Sequence, residues 1–250
     1  MTFTGVRAVM NHSDPIEISV VIPVFNEEEN LPLLIPKLAE ILKKLGLPSE
    51  MIFVDDGSSD GSRGVLKEMA LQYPSLHVIR LKQNRGLSTA LFAGMKEARG
   101  KKIITLDADL QNDPEDIPKL TSYLDRYDMA TGWRQKREDP WLKRISSRVA
   151  NGIRNRLSGE QIHDSACTLR VFKRECVKDL PAFNGMHRFL STLVKMKGYR
   201  VIEVPVSHHP RRFGKSKYNI RNRMVRSFID LLAVRWMKGR RIQYDIEERI

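Results

Sequence analysis

Cysteine is scarce in this chain: two residues in 250, Cys167 and Cys176, form no Cys-x-x-Cys pair, which excludes a disulfide framework and a zinc site and fits a reducing, cytosolic setting. Long apolar runs are missing as well. The best candidate, residues 228–237, is interrupted by Asp230 and Arg235, and no signal-peptide stretch opens the chain, so no membrane-spanning segment is expected. Glycine-rich phosphate loops are also absent. No Gly-x-Gly-x-x-Gly follows an expected strand, which argues against a dinucleotide-dependent dehydrogenase, and Gly214-Lys215-Ser216 fails as a P-loop because His209 stands where the motif requires glycine. Aromatic residues make up only 7% of the chain and no RRM, KH or zinc-finger pattern occurs, so no nucleic-acid partner is expected despite an isoelectric point near 9.9.

What the chain does have is enough apolar sequence for a full core, 41% hydrophobic against 29% charged residues, and an uneven charge distribution. Residues 1–130 carry 15 Lys+Arg and 19 Asp+Glu, a net of −4; residues 131–250 carry 28 and 11, a net of +17. An acidic half able to hold a cation thus precedes a basic half suited to an anion: nucleic acid, an anionic membrane surface or a phosphorylated substrate.

Periodicity predicts alternating strands and helices. Residues 16–23 read as a strand, and Asn26 with Glu29 gives a capping-box pattern for a helix running to about Lys44. Further strands are expected at 51–54, near 77–81 and over 103–111, the last ending in two carboxylates, with helices over 62–72 and 87–99. Four β-α units before residue 130 imply a mostly parallel sheet covered on both faces. Carboxylates stand at three strand ends: Glu27, Asp55 with Asp56, and Asp107 with Asp109. On extended backbone Asp107 and Asp109 would share one face and could hold one hard cation outside the carboxyl end of a strand.

Pro23-Val24-Phe25-Asn26-Glu27, Asp55-Asp56-Gly57-Ser58, Asn84-Arg85-Gly86 and Asp107-Ala108-Asp109-Leu110-Gln111, in this order, resemble family 2 glycosyltransferases of the GT-A fold. The later stretches Gly132-Trp133-Arg134, Ser147-Arg148-Val149-Ala150-Asn151, Asp164 to Arg170 with Phe172-Lys173, and Arg211-Arg212-Phe213-Gly214-Lys215-Ser216-Lys217-Tyr218 resemble the polyprenol-phosphate branch, typified by dolichol-phosphate mannose synthase. The resemblance spans roughly residues 16–236. It implies that Pro23, Phe25, Glu27, Asp55 and Asp56 cradle the nucleoside, and that Asp107 faces ribose and metal. Asp109 and Gln111 then take the metal, Mg²⁺ or Mn²⁺, and the diphosphate, with Ala108 and Arg134 lining the donor site. Asp107, Asp109, Arg134 and Arg148 would carry the catalysis, and Arg134, Arg148, Arg211, Arg212 and Lys217 the acceptor phosphate. Arg170 is a further candidate, either there or as a structural partner of Asp164.

The implied activity is metal-dependent, inverting transfer of one sugar from a GDP- or UDP-linked donor to a polyprenyl phosphate, peripherally on the cytoplasmic face of the membrane. Two amphipathic stripes suit such a surface: Trp141, Ile145, Val149, Ile153 and Leu157, and Val225, Phe228, Ile229, Leu232 and Trp236, both flanked by Arg and Lys. For the first, packing on the core is an equal reading. The organisation expected is a tail (1–15), a catalytic domain (16–224) and an amphipathic helix with a polar tail (225–250), with a membrane-anchoring partner protein left open. Transfer to a glycan hydroxyl is the nearest alternative, but the Gln-x-x-Arg-Trp motif of processive members is incomplete at Leu232-Ala233-Val234-Arg235-Trp236. A basic nucleic-acid-binding protein and a catalytically dead relative are the alternatives from other classes.

Overall fold

The computed structural model describes residues 15–135, 162–213 and 220–241, with isolated positions 152 and 248. Arg148, Lys217 and the stripe that begins at Trp141 lie outside the described residues. A seven-stranded sheet forms the centre, in the order β3-β2-β1-β4-β6-β5-β7. Its strands are β1 (Ile18–Val24), β2 (Ser49–Asp55), β3 (Leu76–Arg80), β4 (Lys102–Thr105), β5 (Met129–Trp133), β6 (Arg170–Lys173) and β7 (Val201–Pro205). The first four pair in parallel, as do β5 and β7, while β6 runs antiparallel to both β4 and β5. The helices are α1 (Leu31–Leu45), α2 (Ser62–Gln72), α3 (Leu87–Glu97), α4 (Ile117–Ser122), the single turn α5 (Arg174–Val177), α6 (Leu190–Met196) and α7 (Ile220–Gly239).

Every residue of β1, ISVVIPV, is buried, the mark of a strand with helices on both faces. Ile18, Val20, Ile22 and Val24 point into one apolar cluster with α1 residues Leu31, Leu34, Ile35 and Leu38; Val21 points into the other, with Ala90, Leu91 and Met95 of α3. Gly94 allows that second contact, since a Cβ there would meet Val21 Cγ1 at 2.4 Å.

Two local expectations change. The helix expected from Asn26 begins only at Leu31, and Asn26 is held at φ 55° with its side chain accepting from Ser59 N at 2.8 Å across the neighbouring loop. A contact distant in sequence therefore took the side chain that the capping pattern needed locally. Likewise β4 stops at Thr105, and Ala108-Asp109 form a turn followed by Leu110 at φ 60°, so the two aspartates converge through a turn and not through strand alternation.

Candidate active site

The strand order makes the site. The chain moves from β1 outward to β2 and β3, then returns to the other side of β1 as β4, so a crevice opens between the carboxyl ends of β1 and β4. Glu27 follows β1 and Asp107 and Asp109 follow β4, which brings two of the three predicted carboxylate stations to that crevice, with Asp55 and Asp56 one strand away.

On the β2 side, the aspartates are committed to the scaffold. Asp55 Oδ1 accepts from Ser58 N at 2.8 Å, and its Oδ2 lies 3.3 Å from Arg80 Nε. Asp56 accepts from the backbone N–H groups of Arg85 and Gly86, both at 2.7 Å, and so ties the Asn84-Arg85-Gly86 loop to the end of β2. Between them, Gly57 has φ 72°, and a Cβ there would fall 2.8 Å from Asn84 N. Only glycine meets both demands. The loop after β1 locks onto the same platform: Asn26 N donates to Ser58 Oγ at 3.0 Å and Glu27 N to Ser62 Oγ at 2.8 Å. Pro23 lies in β1 opposite Val54, Phe25 is half-buried just beyond the strand, and Glu27 Oε2 accepts from Asn30 Nδ2 at 2.6 Å.

On the β4 side, burial first and the Asp109 charge second push the Asp107 carboxyl up to about 7, against the downward pull of the Thr168 hydroxyl and of Arg170 and Arg134. Asp109 is buried; its Oδ1 accepts from Gln111 N at 3.1 Å and its Oδ2 from Arg211 Nη2 at 2.6 Å. Ala108 is buried between the two aspartates, and the Gln111 carbonyl accepts from His209 N at 2.9 Å. Two desolvated carboxylates whose charges repel form a donor set suited to a hard divalent cation, and the guanidinium of Arg211 already stands in for positive charge there. The residues therefore fit Mg²⁺ or Mn²⁺. Among the described residues no cluster of three or more His, Cys, Asp or Glu side chains is placed to hold a metal ion.

Of the candidate phosphate-binding residues, Arg134 is partly buried and forked onto Asp164, with Nε–Oδ2 2.7 Å and Nη2–Oδ1 2.9 Å. Asp164 N in turn donates to Glu203 Oε1 on β7 at 2.9 Å. Arg170 is fully buried, and its Nη2 donates to the Ser165 carbonyl at 3.0 Å. Arg212 is exposed beside Arg211. Sequence reasoning did not single out Asn112, Thr168 or His209. Asn112 Nδ2 donates to Thr168 Oγ1 at 2.9 Å while the Asn112 backbone bridges His208, and His209 Nε2 lies 3.0 Å from Asp113 Oδ2; the last two contacts seat the Arg211 segment beside Asp109. No short motif announces them, because their partners lie 56 and 96 residues away.

Comparison with known proteins agrees with this geometry. The glycosyl transferase family 2 model matches residues 19–180. A dodecaprenyl-phosphate galacturonate synthase of Rhizobium johnstonii is 37% identical over 240 residues, covering 92% of this chain and 71% of that protein. Among solved structures, glucosyl-3-phosphoglycerate synthase from Mycobacterium tuberculosis, in complex with Mn²⁺, UDP and phosphoglyceric acid, superposes with a TM-score of 0.68 at 18% identity, over 91% of this chain and 80% of that one. The mannosyltransferase PcManGT from Pyrobaculum calidifontis, in complex with GDP-Man and Mn²⁺, gives 0.59 at 20% identity, over 93% and 66%. With the family model spanning well over half its length and a relative at this identity, the chain belongs to glycosyl transferase family 2.

Proposed function

We propose that the protein transfers one sugar from a nucleotide sugar to a polyprenyl phosphate, with inversion at the anomeric carbon. The observation that carries this reading is the juxtaposition of a cation-seeking carboxylate pair, Asp107 and Asp109, with Arg211 from the basic half of the chain. The similarity to the Rhizobium synthase supports a polyprenyl phosphate as acceptor and admits a uronic acid among the candidate sugars.

In this reading the platform built from Pro23, Phe25, Glu27, Asp55 and Asp56 receives the nucleoside, the aspartates mostly by fixing loop backbone. Asp107 and Asp109, with Gln111 beside them, hold Mg²⁺ or Mn²⁺. When bound, that ion supplies Lewis-acid neutralisation of the departing diphosphate. A phosphate monoester, with a second pKa near ~6, is largely dianionic at neutral pH, so its oxygen attacks the anomeric carbon without a strong general base. The new bond joins that carbon to the lipid phosphate oxygen. The bond to the nucleoside diphosphate breaks, and the diphosphate leaves with the electron pair. Arg211, Arg212, Arg148 and Lys217 offset the two anions, whereas Arg134 acts by positioning: its fork sets the 162–170 segment and adds positive potential beside Asp107.

Membrane contact falls to α7. Its inner side buries Leu231 and Val234, while Phe228, Ile229, Leu232 and Trp236 stay exposed among Arg226, Arg235, Lys238, Arg240 and Arg241. Among the described residues no helix is long and apolar enough to cross a membrane, which suits a surface contact of this kind.

The test is a transfer assay on the full chain with labelled GDP- and UDP-sugars, UDP-galacturonate included, a short polyprenyl phosphate and Mn²⁺ or Mg²⁺. Metal-dependent label in the lipid phase is expected. Binding of the nucleotide sugar with no label reaching lipid, under either ion, would reject the acceptor.

A further inference from the structure

Arg211 occupies the place a cation would take. Its Nη2 lies 2.6 Å from Asp109 Oδ2 and its Nη1 lies 3.9 Å from Glu27 Oε1, so one guanidinium spans the crevice from the end of β4 toward the end of β1. It is 29% exposed, against 9% for the Asp109 side chain and 11% for Glu27, so it closes the crevice from the solvent side. The segment that delivers it is fastened by bonds that do not involve its side chain. Val206 N donates to Trp133 O at 3.1 Å, Ser207 N to Asp116 Oδ2 at 2.7 Å and His209 N to Gln111 O at 2.9 Å, while His209 Nε2 lies 3.0 Å from Asp113 Oδ2. Arg211 can release Asp109 without the segment leaving the site.

We propose that Arg211 is a resident counter-cation of Asp109, exchanged for the divalent ion and thereby released toward the second anion of the reaction, the acceptor phosphate. A guanidinium at hydrogen-bond distance and a divalent ion on the same carboxylate repel each other, so the Arg211–Asp109 pair and ion binding compete. Arg stays charged at all working pH values, so the exchange is governed by the ions present and not by a proton. Linkage then requires reciprocity: a phosphate that draws Arg211 away tightens the ion, and the ion tightens the phosphate by the same factor. The competition with the ion stands on geometry alone; the destination of the released guanidinium rests on the transferase reading.

The experiment is a titration of the full-length protein with Mn²⁺ alone, free Mn²⁺ being read by electron paramagnetic resonance, for the wild type, R211Q, R211K and R212Q, each checked by thermal melting for a folded state. R211Q is expected to tighten Mn²⁺ about 5- to 150-fold, the range of ordinary site-to-site couplings. R212Q should change it by less than about twofold, since screening blunts the effect of an exposed neighbouring charge. R211K, which keeps the charge without the fork, should fall between. Unchanged or weaker Mn²⁺ binding in R211Q, or an equal gain in R212Q, overturns the counter-cation role and leaves the transferase reading standing. A second titration uses geranyl phosphate with and without Mn²⁺. Mutual tightening in the wild type, lost in R211Q, is expected. Tighter Mn²⁺ in R211Q with no geranyl phosphate binding in any variant would overturn the released-guanidinium half, and the lipid-phosphate acceptor with it.

Discussion

Asp107 and Asp109 stand two residues apart, yet their charges are met differently: Asp109 has Gln111 N and Arg211 Nη2 on its oxygens, while Asp107 is pushed toward its neutral form by burial and by its neighbour. If both serve the ion, neither tolerates an amide. Asp107→Asn and Asp109→Asn should each lower transfer by at least about 10²-fold, the scale on which loss of a transition-state charge stabiliser registers, and each should weaken Mn²⁺ binding in the absence of donor. Glu50 shows the structural counterpart. Burial tends to raise its carboxyl, but the Arg99 guanidinium, the Ser19 hydroxyl and the Arg99 backbone N–H outweigh that and hold it below the usual carboxylate range. A depressed folded pKa contributes stability that is present above about pH 4.3, the unfolded value, and is lost as pH falls through the folded one. Glu50→Gln should therefore cost about 1–3 kcal/mol at pH 7 in urea unfolding, less than a closed pair would because Arg99 is partly exposed. The gap to wild type should narrow as the pH drops below about 4.

Elements are coupled here by their loops more than by their helices. Gly57 sits where the loops after β1, β2 and β3 converge, so Gly57→Ala must strain a positive φ and also drive a methyl into the Asn84 backbone. A loss of about 2 kcal/mol or more is expected in thermal unfolding, with nucleotide affinity falling in parallel, since the platform is what would shift. The Arg134–Asp164 fork joins the segment before β6 to the end of β5. Arg134→Met alone should cost about 3–5 kcal/mol by stranding a buried carboxylate, and the Arg134→Met/Asp164→Leu pair considerably less. Unfolding of the four members of that cycle measures the coupling.

The same elements show what was legible beforehand. The β-α alternation up to residue 130 was readable because buried strands and amphipathic helices carry their periodicity locally. β6, lying antiparallel between β4 and β5, was not, since its place depends on partners such as Thr105 and Arg170, 65 residues apart. The capping pattern at Asn26 misleads for the same reason: its partner, Ser59, is 33 residues away. The motif puts Asp107 and Asp109 just past a strand, where the structure has them, but strand alternation predicts a convergence that a turn provides instead. The motif at residues 132–134 implies a phosphate for Arg134. Nothing in the sequence revealed that Asp164 takes its fork.

At the scale of the whole molecule, the charge asymmetry and α7 point the same way. An outward stripe of Phe228, Ile229, Leu232 and Trp236 on a basic helix should bring the protein to vesicles containing phosphatidylglycerol and not to neutral ones, with affinity falling as salt rises. Replacing Phe228, Leu232 and Trp236 together by serine should reduce co-sedimentation by at least about tenfold while leaving the melting temperature within a few degrees, because those side chains are already in solvent. Equal sedimentation of the variant would remove α7 from the membrane.

The position of β6 also bears on how the protein comes off the ribosome. Strands β1 to β4 are complete by Thr105, but β6, the neighbour that closes the open flank of β4, begins only at Arg170, which pairs with Thr105 from 65 residues on. At roughly 5–20 residues per second that is a wait of about 3–13 s, during which a buried-type strand presents unpaired backbone to solvent or to a chaperone.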